Sequence, residues 1–238
     1  MPTAREALLN AAMAALGGLP WSAVRMVDVA SAAGVSRQTL YNEFGSKEGL
    51  ARALVRREAD AYLYGVEGVL QERTDAVERL VSVAEWTVGE AAARPLLRAL
   101  LTGCWGDRLP APRSAPARFR APAGPPAQRR ADAGAPGPGE LVAAVRERSR
   151  AALEQGHPGG GHTDRAASEA ASAAADGGAY GDAYGDVREE GRVDAREAAC
   201  ELAVRLALSY VIAPGPGDVG SLLRRALSAV TSPTTADR

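Results

Sequence analysis

Between Thr3 and about Leu16 the larger apolar residues Leu8, Leu9, Ala12, Ala15 and Leu16 recur at helical spacing, and Gly17-Gly18 followed by Pro20 stops the run. The pattern predicts a first helix. A short second helix is expected over Val27–Ala33, ending at Gly34, and Ser36 is a suitable N-cap for a third running to about Glu43. Gly45-Ser46 breaks and recaps the chain, and a long fourth helix follows from Lys47 to roughly Leu70, with Leu50, Leu54 and Val55 on one face. Further amphipathic helices are expected at about 75–92, 94–104, 140–155, 193–212 and 217–230. No segment alternates with period two, so the fold class is all-α.

Two stretches depart from helical patterning. Residues 106–139 are dense in Pro and Arg, and residues 156–192 are dominated by Gly, Ala, Ser and Asp. Neither carries enough apolar surface to order itself, and both read as flexible insertions. The second contains a tandem copy, Ala179-Tyr180-Gly181-Asp182 followed by Ala183-Tyr184-Gly185-Asp186, read as an expanded loop. The Arg-rich stretch could add sequence-independent phosphate contacts, but a solvated linker is the plainer reading. The expected organisation is a head at 1–58, whose last helix continues to about 70, a helical domain at 72–230, and a disordered tail at 231–238.

Length and composition fit two globular units, since 238 residues with 46% apolar content can bury two cores. The formal net charge of -1 excludes an overall cationic field, so any nucleic-acid surface must be local. Cys104 and Cys200 form neither metal-ligand spacing nor a disulfide framework. Both lie in apolar helical sequence, where a buried free thiol is ordinary, and a reducing cytoplasm is the simplest location. The N-terminus does not read as a signal peptide, and no run approaches the roughly 20 apolar residues of a membrane span. His157 and His162 are spaced H-P-G-G-G-H without further ligands nearby, so they read as loop residues; no metal and no cofactor are expected.

The chemistry concentrates in Val27–Phe44, which reads as a helix-turn-helix. Ala30 is small where two helices would cross, Gly34 can take the left-handed conformation that ends the second helix, and Val35 and Leu40 would plug the core. A third helix of eight residues would be about 12 Å long, enough to present one or two turns to a DNA major groove. Its outward residues are Arg37, Gln38, Thr39, Tyr41 and Asn42. Arg pairs with guanine, Gln or Asn with adenine, and a Thr methyl can touch the thymine methyl, whereas Tyr41 is better suited to a phosphate. Lys47, the one lysine in the chain, stands at the first turn of the fourth helix, where a phosphate would turn an unfavourable dipole contact into a favourable one. Residues 36–57 place Arg37, Lys47, Arg52, Arg56 and Arg57 against Glu43 and Glu48, a local excess of three positive charges.

The run Gly34-Val35-Ser36-Arg37-Gln38-Thr39-Leu40-Tyr41-Asn42-Glu43-Phe44-Gly45-Ser46-Lys47-Glu48-Gly49-Leu50 resembles the signature of TetR-type transcription regulators, and the resemblance covers residues 5–58. Arg205–Pro214 resembles the dimerisation helix of many actinobacterial members. The resemblance implies a DNA-binding head joined to a helical ligand domain. It also implies a homodimer formed through 193–212 and 217–230, a palindromic double-stranded operator, and a small-molecule inducer that alters the spacing of two heads about 34–36 Å apart. By the same resemblance Arg37, Gln38, Thr39, Tyr41 and Asn42 face DNA and Lys47 holds the backbone. The chain departs from the family at Arg25, where many members carry Thr as a helix cap: either Ser22 and the loop cap the second helix, or Arg25 contacts phosphate.

In the second half, Trp86, Leu97, Leu101, Cys104 and Trp105 form an apolar and aromatic set suited either to lining an inducer pocket or simply to core packing. An enzyme finds no support: no carboxylate pair sits on an apolar helix face, and no Gly-rich phosphate loop follows a strand. A DNA-binding or architectural protein without a ligand is the remaining alternative.

Overall fold

The computed structural model describes residues 3–73, 75–111, 135–155 and 181–231, and these contain helices and turns without a strand. In chain order they are α1 (Ala4–Gly18), a 3-10 turn (Trp21–Ala23), α2 (Met26–Ala32), α3 (Arg37–Phe44), α4 (Lys47–Glu72), α5 (Ala76–Ala93), α6 (Pro95–Thr102), α7 (Pro138–Gln155), α8 (Gly181–Ile212) and α9 (Val219–Thr231). No helix among the described residues is long and apolar enough to cross a membrane.

The chain divides into two compact units. One joins the residues up to Tyr64 with Glu90–Val142; the other joins Gly65–Gly89 with the chain from Ala143 onward. The first unit therefore takes in more than the head expected at 1–58, because a later segment folds back into it.

In the first unit, α1 starts with a reciprocal capping box. Thr3 Oγ1 accepts from the Glu6 amide at 3.2 Å and the Glu6 carboxylate accepts from the Thr3 amide at 2.7 Å, an arrangement that contributes about 1 kcal/mol. The core combines Leu8, Leu9 and Ala12 of α1, Val29 and Ala30 of α2, Leu40 and Phe44 of α3, and Leu50, Ala53 and Leu54 of α4. Leu8, Leu9, Ala12, Ala30, Leu40, Leu50 and Leu54 are positions the sequence pattern selects, whereas Ala15, Leu16 and Val35 pack only partly buried against this core. Arg57 of α4 reaches back to α1, donating to Asn10 Oδ1 at 2.7 Å and to the Leu9 carbonyl at 3.2 Å. It is thus used inside the unit, where burial lowers its pKa, and it does not add to an outward cationic face.

In the second unit, Leu80, Val81 and Ala84 of α5 pack with Leu153 of α7, Cys200, Ala203 and Ala207 of α8, and Val219, Leu223 and Leu227 of α9. Arg224 holds Glu78 through two bonds of 2.8 and 3.0 Å, and Arg148 pairs with Glu67 at 2.7 Å. Where α4 passes α5, a Cβ on Gly65 would lie 2.3 Å from the Trp86 ring, closer than atoms can approach. Gly65→Ala is therefore expected to destabilise the protein by about 1–3 kcal/mol through overpacking. Denaturant unfolding checks this, and Gly65→Ala combined with Trp86→Leu should regain most of the loss.

Three expectations from the sequence need correction. α8 begins at Gly181 rather than near 193, so the second insertion is shorter than 156–192. Arg188, Glu189, Glu190 and Arg192 are good helix formers, and they outweigh the glycines on which the loop reading rested. The first insertion is likewise ordered at its start, where the Trp21 amide donates to the Arg108 carbonyl at 2.9 Å and Pro110 is buried. Cys104 is not a buried helical thiol: α6 ends at Thr102 because Gly103 turns left-handed at φ 74°, leaving Cys104 exposed beyond it. His157 and His162 and the start of the tandem repeat lie outside the described residues, as does most of the Pro/Arg-rich stretch.

The other thiol, Cys200, is buried, and desolvation pushes its pKa up to about 11. A thiol reagent at pH 8 should accordingly label Cys104 and spare Cys200 until denaturant is added. Labelling of two thiols per folded chain would contradict this packing.

Candidate nucleic-acid interface

The turn between α2 and α3 is a Schellman motif. Gly34 takes φ 67°, its amide donates to the Ser31 carbonyl at 3.1 Å, and the Val35 amide donates to the Ala30 carbonyl at 3.1 Å. Two of the orphan carbonyls of α2 are satisfied by these bonds. Ser36 then caps α3, its Oγ accepting from the Thr39 amide at 3.0 Å. Leu40 and Phe44 are buried at 0% and 2% exposure and pin α3 to the core, which fixes the opposite face outward.

That outward face carries Arg37, Gln38, Tyr41 and Asn42, all exposed, with Thr39 half-buried beside Ser36. The residues form two internal pairs. Gln38 Nε2 donates to Asn42 Oδ1 at 2.9 Å, and the Arg37 guanidinium lies 5.7 Å from the centre of the Tyr41 ring. Gln38 and Asn42 are one helical turn apart, so their pairing leaves the Gln38 Oε1 acceptor and the Asn42 Nδ2 donor for an external partner.

Lys47 is half-buried at the first turn of α4. Its Nζ donates to the Ser22 carbonyl at 3.2 Å and lies 5.1 Å from the centre of the Trp21 ring. The carbonyl and the ring face hold the ammonium at the helix N-terminus, where it would otherwise be repelled by the dipole. Ser46 supplies the cap of α4, its Oγ accepting from the Gly49 amide at 3.1 Å.

At the start of α2 no side-chain cap forms. Arg25 is the N-cap residue of α2 but its side chain makes no cap bond, and Ser22 lies in the preceding 3-10 turn with its carbonyl given to Lys47. The Arg25 guanidinium instead grips Asp28 of the first turn of α2 through bonds of 2.8 and 3.2 Å. Asp28 stands at a helix N-terminus, where a carboxylate is favourable, and the exposed pair contributes little on its own.

Of the five proposed pocket residues, Trp86 belongs to the second unit and the other four to the first. Leu97 and Leu101 are buried core side chains of α6 at 0% and 4% exposure, so the plainer packing reading describes them. Cys104 lines a cleft of about 820 Å³ formed by the end of α1, α6 and residues 106–109, and Trp105 lines a neighbouring cleft of about 580 Å³ with Trp21 and Lys47. Among the described residues no group of His, Cys, Asp or Glu is arranged to hold a metal ion.

The sequence reading did not identify Arg5, Trp21 or Asp28 as contributors. Asp28 carries a local signal, an acid three residues after an arginine. Arg5 contacts α3 across 38 residues of chain and Lys47 contacts Ser22 across 25, separations that leave no mark in any local pattern.

A short helix with buried anchors, an outward polar face and a glycine turn after a preceding helix defines a helix-turn-helix domain. Residues 8–54 match the family of bacterial regulatory proteins described as the tetR family. That match lies within the helix-turn-helix region and the helices that flank it. It is 41% identical over 100 residues to the HTH-type transcriptional regulator AlkX of Mycobacterium tuberculosis (strain ATCC 25618 / H37Rv), a match that spans 42% of this chain and 47% of AlkX. The match thus covers about half the length of that relative. Solved structures to which the chain is similar include the TetR family repressor AlkX from Dietzia sp. strain DQ12-45-1b, at 18% identity and TM-score 0.49 over 95% of each chain. The transcriptional regulator FadR from Bacillus subtilis, in complex with stearoyl-CoA, is 16% identical with TM-score 0.44, over 95% of this chain and 97% of that one.

Proposed function

We propose that the protein is a sequence-specific DNA-binding transcription regulator, a repressor released from its operator by a small molecule, and not an enzyme. The observation that supports this most is the exposed face of α3, whose Arg, Gln, Tyr and Asn side chains are held outward by buried Leu40 and Phe44. In this reading Arg37, Gln38, Thr39 and Asn42 address base edges, and Tyr41 and Lys47 address phosphates. Arg25 is given a secondary role, because Asp28 already neutralises it.

The partner assignments are part of the same reading. A homodimer through 193–212 and 217–230 is supported by apolar side chains left exposed there, Ile212 at 62% and Leu222 at 36%. Two heads would then read a palindromic operator with half-sites one helical turn apart. For the inducer site we retain Trp86, whose ring lies against the backbone of α4 at Gly65, and set aside Leu97 and Leu101 as core. A cytoplasmic location goes with these roles.

The experiment is a mobility shift with DNA from upstream of the protein's own coding region, against excess random duplex, with stoichiometry from light scattering. Specific retention by a dimer supports the reading, and equal competition by random duplex rejects it. Within it, Tyr41→Ala and Lys47→Ala should weaken binding to all duplexes, whereas Arg37→Ala and Gln38→Ala should relax discrimination by about 1–3 kcal/mol at individual base pairs. Equal losses on selected and random DNA for all four variants would refute the division of roles.

A further inference from the structure

We propose that Arg5 of α1 is a positioning residue for DNA binding: it caps the C-terminal turn of α3 and neutralises Glu43, so that this turn can approach a polyanion. The inference rests on the DNA-binding reading of α3.

The C-terminal turn of α3 faces an electrostatic problem of its own. It carries the negative end of the helix dipole and the carboxylate of Glu43, and it has no basic residue. A turn with that charge beside a row of phosphates would be repelled within a Debye length of about 8–10 Å. Lys or Arg in the last turn is the usual remedy, and here the cation comes from another helix.

Arg5 makes three contacts with this one turn. Its Nη1 donates to the Glu43 carbonyl at 3.3 Å, which satisfies an orphan carbonyl at the helix end. The same nitrogen lies 3.5 Å from Glu43 Oε2, with both side chains 28% exposed, so the pair is only partly screened by water. The guanidinium also lies 4.7 Å from the centre of the Phe44 ring, and Phe44 is one of the two buried anchors of α3. A planar cation that stacks, caps and pairs at once is a task for which lysine is a poor substitute.

Arg5 itself need not touch DNA for this to matter. Removing its charge would leave Glu43 uncompensated on the DNA-facing helix, and removing Glu43 as well would take the repulsion away. A side chain that merely helps the domain fold would behave otherwise, with the same loss whether residue 43 is Glu or Gln.

The test is a double-mutant cycle in the full chain, using a duplex that the wild-type protein has enriched from a randomised pool. Arg5→Met keeps an apolar stem over Phe44 and deletes the charge, so it should fold while binding at least tenfold more weakly. Glu43→Gln should bind as well as wild type or better. Arg5→Met combined with Glu43→Gln should return to within threefold of wild type, and Arg5→Lys should fall between wild type and Arg5→Met. A double variant as weak as Arg5→Met, or an Arg5→Met that binds like wild type, overturns the proposal. If the wild-type protein enriches no sequence at all, the DNA-binding reading and this proposal fall together, an outcome distinct from enrichment with a flat cycle.

Discussion

Gly49→Ala is expected to weaken the proposed specific DNA binding at least tenfold and to destabilise the first compact unit. A Cβ at residue 49 would lie 1.9 Å from the Phe44 carbonyl oxygen and 3.0 Å from its carbonyl carbon. Both are backbone atoms at the end of α3, so no side-chain rotation relieves the clash. Either α4 moves away from α3 or the last turn of α3 unwinds. The first costs about 1–3 kcal/mol as an overpacked contact, and both alter the angle at which α3 is presented. Specific affinity should fall at least tenfold, because the proposed base contacts require α3 in one orientation. Gly68→Ala in the same helix is the control: nothing lies within 4 Å of a Cβ there, so it should stabilise by about 0.5–1 kcal/mol through helix propensity. Equilibrium unfolding and a mobility shift on both variants check this, and a Gly49→Ala protein with wild-type stability and binding would refute it.

Arg94→Met should lower the stability of the first unit by about 3 kcal/mol, near the lower end of what is seen when one partner of a buried ion pair is removed. Glu58 is one of the few buried charged side chains among the described residues, at 7% exposure. Arg94 Nε meets its Oε1 at 2.9 Å, and the same guanidinium meets Glu90 at 2.8 Å. Burial works against the charge on Arg94, yet the bonds to Glu90 and Glu58 outweigh it and raise its pKa. Arg94 is itself partly exposed, which places the effect low in the range. Glu58→Gln in the Arg94→Met background should recover more than half of the loss, since the stranded carboxylate is the main cost. Denaturant midpoints for wild type and the two variants measure it, and a loss under about 0.5 kcal/mol for Arg94→Met alone would show that water reaches Glu58.

Much of the helix-turn-helix was legible along the chain because its determinants are local. Gly34 after a short helix, Ser36 three residues before Thr39, and Leu40 and Phe44 at i and i+4 are each interactions between near neighbours, and the structure shows each in that role. The amphipathic periods of α4, α5, α6, α7 and α9 were equally readable, with ends displaced by at most two residues. The start of α8 is harder to read, because glycines and charged helix formers are interleaved over 181–192.

What could not be read from the sequence depends on which atoms the folded chain brings together, near or far along it. The amino acids at 25, 47 and 49 were in plain view, yet their partners Asp28, Ser22 with Trp21, and the Phe44 carbonyl decide what they do. Gly49 sits in the signature run with no local reason to be glycine; its reason is the backbone of another helix. Arg57 counted as part of a cationic face by composition and turned out to hold α1. The apolar set at Trp86, Leu97, Leu101, Cys104 and Trp105 had the right chemistry for a pocket but is divided between two units.

The sequence by itself determined the helices, the glycine turn and the identity of the outward side chains of α3, because propensity, capping and amphipathic period act over at most a few residues. The tertiary structure alone decided which cations are already engaged, which glycines leave no room for a methyl group, and which thiol is buried. Those are properties of distances between segments that the chain brings together only when its cores close, and a linear pattern carries no such distances.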